Sequence, residues 1–386
     1  MPILPPLADF FRTASWSTMG RALLKAAGIF LILNVLFAWT YPLEVLGRLS
    51  LYNRLWPGRL RLPYGEDLAT SYNLSLYNVP AMFHSHALMQ PKAGDEFRAL
   101  VIGDSATWGW FLENQDTLVG RLNAAELQTA DGRRLVFYNL GYPVMSLTKD
   151  LMLLDEGMRY EPDLILWPVT LESFARARQL DHPLLQHNPK RVRDLIARYD
   201  LALDPDDPRF VEPDFWGRTI VGQRRSLADL MRLQSLGLAW AATGIDQAIP
   251  DDISLRKSDF EKDVSWKDVE EPTTLDEGLL AFDVLAAGIA RAGHAPILII
   301  NEPMFISAGE NSDLRYNSFY PRWAYDQYRQ LLAQTAQDQG WDYLDLWDAV
   351  PPREFTDTPV HLTPAGSQML AELLTSKVLR RADALR

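Results

Sequence analysis

The chain has 386 residues, 47% hydrophobic and 23% charged, which excludes wholesale disorder and suits two or three domains or one large domain with an insertion. It has no cysteine, so disulfides, thiolate nucleophiles, zinc ribbons and cysteine-held iron–sulfur clusters are excluded. The net charge of −12 argues against a general nucleic-acid binder. Residues 1–61 nevertheless hold seven Lys/Arg against two acids, a balance of +5 that leaves −17 for the rest.

Within that basic head, no charge falls between Lys25 and Glu44. As a helix, these 18 positions would span about 27 Å at ~1.5 Å per residue, near the ~30 Å hydrocarbon core. Ala22–Leu24 extend the span if Lys25 snorkels, so residues 22–43 are predicted to be a transmembrane anchor. Trp39 and Tyr41 sit at its far end, where aromatic rings favour the interface. No small-residue cleavage pattern is present there. Arg12, Arg21 and Lys25 precede the span and favour a cytoplasmic segment over 1–21. Arg48, Arg54, Arg59 and Arg61 follow it and pull the other way. The expectation is a single-pass protein of the cell membrane with its body extracytoplasmic.

Residues 44–95, with Pro57, Pro63, Pro80 and Pro91, read as a juxtamembrane connector. Its His84-x-His86 pair lacks a further ligand nearby and reads as a packing pair. The pattern then alternates. Arg98–Ile102, Leu135–Leu140 and Asp163–Val169 read as buried strands, with helices over Leu118–Leu127 and Leu147–Met158. Residues 176–274 read as a mostly helical insertion, with helices at Pro189–Tyr199 and Ser226–Ala242. The latter has an apolar stripe expected to pack on its own domain, with a membrane or partner surface as the other reading. Alternation resumes with a helix over Leu275–Ala292, a strand at Ala295–Ile300, a helix from Trp323 to Gln339, a strand at Trp341–Leu346 and a helix from Pro364. Strands joined through helices imply right-handed crossovers and a parallel sheet.

Ligands of open α/β sheets bind beyond the carboxyl ends of the strands. Gly103-Asp104-Ser105 follows the first strand, Gly141 the second, Thr170–Ser173 the third and Asn301-Glu302 the fourth. Asp357 and His361 stand before the last helix. Ser105, His361 and Asp357 are the parts of a nucleophile–base–orienter relay, because a serine hydroxyl attacks only when an imidazole takes its proton. Backbone N–H groups of Ser105 and Gly141 are candidate oxyanion donors. Gly141, without a Cβ, would also let an acyl group approach closely. The competing reading makes Ser105 a helix cap and His361 a surface histidine.

The segments VIGDSATWGW (101–110), YNLGYP (138–143) and DTPVHLTPAG (357–366) resemble the SGNH, or GDSL-type, hydrolase and acyltransferase superfamily over residues 96–386. The resemblance implies a flavodoxin-like, three-layer α/β/α fold with a five-stranded parallel sheet. It also implies Ser105 as nucleophile, Gly141 as oxyanion donor, His361 as base, Asp357 as its partner, and no cofactor or metal. Two departures stand out. The Asn usual after the third strand is missing, with Thr170, Ser173 and Asn301 as candidates to replace it. The Asp lies four residues before the His rather than three, with Thr358 at the usual spacing.

An anchor on such a domain is similar to the proteins that O-acylate envelope polymers, as in teichoic-acid D-alanylation and exopolysaccharide acetylation. The expectation is therefore a serine esterase or O-acyltransferase working through an acyl-enzyme on envelope polysaccharide or glycolipid, beside a membrane-bound O-acyltransferase partner. The alternatives are a non-catalytic membrane-tethered scaffold and a lipase or thioesterase. Candidate substrate-binding residues are Asp104, Trp108, Glu172, Glu302, Arg315 and Tyr316; the aromatic ones, together with Trp110, Tyr320 and Tyr325, read as sugar-stacking faces or, equally, as core.

Overall fold

The computed structural model describes residues 15–51, 58–65, 75–243, 249 and 251–384. Most of the segment expected to be cytoplasmic (1–21), with Arg12, lies outside the described residues, as do Arg54 and Pro57.

Five strands form one parallel sheet: β1 (Glu96–Gly103), β2 (Arg134–Gly141), β3 (Leu164–Val169), β4 (Ile297–Asn301) and β5 (Asp342–Asp345), in the order β2-β1-β3-β4-β5. β1, β3 and β4 are buried along their whole length, as continuous apolar runs covered on both faces must be. The register pairs Gly103 with Gly141 and Val169 with Asn301, so the ends that carry the candidate chemistry are level.

The helices, in chain order, are α1 (Trp16–Thr40), α2 (Leu43–Gly47), α3 (Val79–His84), α4 (Ser105–Trp108), α5 (Leu118–Ala124), α6 (Leu147–Gly157), α7 (Leu171–Phe174), α8 (Pro183–Gln186), α9 (Pro189–Tyr199), α10 (Arg224–Thr243), α11 (Phe282–Ala292), α12 (Arg322–Gln339) and α13 (Pro364–Ala384). One apolar cluster joins one face of the sheet to α6, α9, α11 and α12. A second joins the other face to α5 and α13. The result is the three-layer α/β/α architecture implied by the resemblance.

Three differences from the sequence reading have local causes. The helix predicted from Leu275 begins only at Phe282. The preceding residues are drawn into a bridge in which Arg176 N–H donates to Leu279 and Ala281 N–H donates to Phe174, and Asp276 Oδ1 caps that turn through Gly278 N–H at 2.9 Å. The stretch expected to be a connector contributes Leu62, Leu76, Val79, Met82, Phe83 and Leu88 to the larger core cluster. Within the insertion, the charged run around residues 251–271 is irregular yet pinned. Arg256 N–H donates to Thr356, and the Trp323 indole donates to Val264 O at 2.7 Å.

α1 runs for 25 residues, about 37 Å at ~1.5 Å per residue. Among the described residues it is the one helix long and apolar enough to cross a membrane, by length and composition. Ser15 caps its start, and only Asn34 and Ala38 are buried along it.

Candidate active site

β1 delivers the Gly103-Asp104-Ser105 turn. Gly103 has φ +152°, and a Cβ there would collide with the Thr107 side chain, so the turn requires glycine. The Asp104 carboxylate then accepts the Ala106 N–H at 2.8 Å and caps α4, leaving Ser105 as its first residue. Ser105 Oγ lies 2.8 Å from His361 Nε2, and His361 Nδ1 lies 2.8 Å from Asp357 Oδ1. Burial would raise the Asp357 carboxyl, but the hydrogen bond and charge of His361 outweigh it and hold it below the usual value.

The four-residue Asp–His spacing is reconciled by a short stitched loop. Phe355 and Leu362 pair as an antiparallel bridge, and Thr356 N–H donates to His361 O. Thr358, at the usual Asp position, turns inward and accepts the His361 N–H at 3.2 Å. Trp110 packs over the imidazole at 5.9 Å with a 24° interplanar angle. None of the sequence reasoning assigned Trp110 this place.

The oxyanion side departs from expectation. Ser105 N–H heads α4 and donates to no group among the described residues. Gly141 N–H, by contrast, donates to Asn139 Oδ1 at 3.0 Å, so this structure does not present it to a substrate. The glycine is needed for a different reason than acyl access. A Cβ there would collide with the backbone of Trp108, and Asn139 Nδ2 donates to Thr107 O at 2.9 Å across the same contact. Three residues on, exposed Val144 has φ +72°, a strained conformation for a β-branched residue.

Beneath the turns lies a buried charge cluster that the sequence reading missed. Lys149 on α6 donates to Gly103 O at 2.7 Å and Tyr142 O at 2.5 Å, and pairs with Asp150 at 2.8 Å. One ammonium therefore ties the turn that carries Ser105 to the turn after β2. Asp150 also accepts the Trp167 indole N–H at 3.2 Å; burial raises its pKa and Lys149 opposes the shift. Glu302 is buried beside them on a narrow pocket under α4 lined by Ala106, Thr107 and Ile300. Burial first, then the charges of Asp104 and Asp150, push its carboxyl well above the usual range. The available signal was a Lys-Asp pair inside the apolar run LTKDLMLL.

Most of the remaining candidates are committed elsewhere. Thr170 Oγ1 donates to the Tyr320 hydroxyl at 2.9 Å. Ser173 is buried and its carbonyl accepts from Gln179. Asn301 Nδ2 donates to Asp345 at 2.8 Å and its Oδ1 accepts from the Tyr328 hydroxyl at 3.2 Å, so its side chain braces β4 against β5 and α12. Glu172 pairs with Lys267.

For Trp108, Tyr316, Tyr320 and Tyr325 the core reading holds and the sugar-stacking reading is overturned. Trp108 is buried, donates to Leu62 O and carries Arg61 on its ring. Tyr316, Tyr320 and Tyr325 are buried in the core. Arg315 is buried too, its guanidinium bound to the carbonyls of Asn317, Ser318 and Ser265. His86 is buried, accepts the Leu88 N–H on Nδ1, and is pushed down to about 4 by burial. Among the described residues, no group of three or more His, Asp or Glu side chains is placed to hold a metal.

No family model matches the chain, and no curated protein does. Solved structures do. A GDSL-like lipase from Bacteroides thetaiotaomicron is 10% identical, with 80% of this chain and 100% of that chain covered at a TM-score of 0.37. A carbohydrate acetylesterase family member from Sinorhizobium meliloti is 13% identical, covering 74% and 98% at 0.31. The M. smegmatis aryl esterase is 12% identical, covering 73% and 97% at 0.33. At such identities and scores, the roles of individual residues rest on the geometry above.

Proposed function

We propose that this chain is a membrane-anchored serine esterase or O-acyltransferase of the SGNH type. The observation that carries the reading is the continuous relay Asp357–His361–Ser105, with both contacts at 2.8 Å. In the proposed reaction Ser105 Oγ attacks an acyl ester carbonyl while His361 Nε2 takes its proton. The ester C–O bond breaks, and His361 returns the proton to the departing alkoxide. The acyl-serine is then cleaved by water, or by an acceptor hydroxyl, activated by the same imidazole. Asp357, ionised by its low pKa, fixes the imidazole tautomer and stabilises its cation. Ser105 N–H is the open donor toward the developing oxyanion.

Placement of the body outside the cell membrane, an envelope polysaccharide or glycolipid acceptor and a membrane-bound O-acyltransferase partner extend this reading by architectural analogy. The anchor is α1, whose length supports it.

A fluorophosphonate probe tests the relay. The full chain in detergent is expected to label, and Ser105→Ala to abolish labelling while leaving the thermal midpoint unchanged. A folded native chain that does not label refutes the catalytic reading and returns the scaffold alternative. Loss of envelope-bound acyl groups in cells carrying Ser105→Ala, with lipid hydrolysis unchanged, favours transfer over a lipase or thioesterase.

A further inference from the structure

The insertion carries large apolar side chains to the surface in one stretch. Phe215 is 46% exposed, Trp216 69%, Val221 49% and Met231 73%. Phe215 and Trp216 also pack edge to face with 5.5 Å between ring centroids. A soluble surface seldom leaves such side chains together uncovered.

This stretch is fastened to α1. Asn34, the polar residue within the apolar part of that helix, accepts the Val221 N–H at 3.2 Å while donating to its own helix at Phe30 O. Arg218 lies over the Tyr41 ring at 5.7 Å, and Gln234 on α10 accepts the Leu51 N–H at 2.8 Å. Asn34 lies about 10 Å before Tyr41 along the helix axis, at ~1.5 Å per residue. If α1 lies in lipid, a backbone N–H at that depth requires a partner inside the protein, and Asn34 supplies it to the insertion.

We propose that residues 211–236 lie in the bilayer interface, from the headgroups into the upper acyl chains around Val221, as a second, non-spanning membrane contact. The inference rests on the reading of α1 as a membrane anchor. Its chemistry suits that layer: Phe215 and Trp216 supply amphipathic aromatic area, and Arg218, Arg224 and Arg225 stand among them to meet anionic headgroups. The helix fixes the depth, and the insertion fixes which side of the body meets lipid.

The natural absence of cysteine makes the test direct. Single substitutions Trp216→Cys, Met231→Cys, Leu33→Cys within α1, and Glu372→Cys on exposed α13 are labelled with an environment-sensitive fluorophore. The full chain is reconstituted into vesicles of phosphatidylethanolamine and phosphatidylglycerol containing a nitroxide lipid with its spin label near the glycerol. Probes at 216 and 231 are expected to be quenched several-fold more than the probe at 372. Quenching at 33 with positions 216 and 231 behaving like 372 overturns the proposal while α1 stays an anchor. Absence of quenching at 33 as well overturns the anchor reading with it. A blue shift at 216 without quenching means that protein covers this face, and it too overturns the proposal.

Discussion

Replacing Lys149 by methionine probes whether the buried cluster holds the reactive turns in place. The ammonium is wholly buried and makes three contacts of 2.8 Å or less, to Gly103 O, Tyr142 O and Asp150. Its loss leaves Asp150 buried without its cation, a change that costs about 3–5 kcal/mol in comparable buried pairs. At roughly 2 °C per kcal/mol for a large domain, the thermal midpoint is expected to fall by about 6 °C or more. The double variant Lys149→Met/Asp150→Leu removes both charges and is expected to recover most of that loss, since replacing a whole buried pair by apolar groups is near neutral. Fluorophosphonate labelling separates the two roles. Both variants are expected to label slowly, because the carbonyls of Gly103 and Tyr142 have lost their common donor. The assay is differential scanning fluorimetry of the full chain in detergent with a parallel labelling time course. A midpoint shift under about 2 °C for the single variant, together with a native labelling rate, would refute the reasoning.

Other outcomes follow from the same geometry. Glu302 has a raised pKa in the fold, so the unfolded chain ionises first as pH rises, and native stability falls from about pH 4 upward. Glu302→Gln, which cannot ionise, is therefore expected to stabilise the chain relative to native at about pH 8 and not at about pH 4, read as the difference in thermal midpoint; an equal difference at both values would contradict it. For Asp357 the sign is opposite. Its folded pKa is lowered, so its contribution is present above about pH 4 and is lost as pH falls further; Asp357→Asn should flatten the acid limb of a stability–pH curve. Gly141→Ala forces a Cβ into the Trp108 backbone and is expected to lower labelling at least tenfold, equivalent to about 1.4 kcal/mol, through displacement of α4. A native labelling rate for that variant would show that the close packing does not matter.

Much of the sheet was legible because its strands are continuous apolar runs ending in glycine or a polar turn. Ser105, His361 and Asp357 were legible because relay chemistry uses few residue types and the strand ends locate them. Other features depended on contacts across long sequence separations. Nothing near Gly141 in sequence says that its N–H turns to Asn139 or that its missing Cβ admits Trp108. Trp108, Tyr316 and Tyr320 read as ring faces for a sugar or as core, because an aromatic side chain looks the same in sequence whether it lines a groove or fills a core. The start of α11 moved because backbone pairing between residues 175 and 280 overrode helical periodicity. Lys149 was overlooked because a lysine is ordinarily solvated, and only the fold shows two carbonyls converging on it.

The separation of Ser105 from His361, its base in the proposed relay, also sets a timetable. The two residues are 256 positions apart in the chain, and His361 sits just before the last helix. At translation rates of ~5–20 residues per second, the base follows the nucleophile by roughly 13–50 s. During that interval the serine hydroxyl would have no imidazole to take its proton, as the proposed relay requires. On the proposed relay, reactivity would be withheld until the segment carrying His361 has docked, so a chain interrupted before it would carry Ser105 in a chemically silent form.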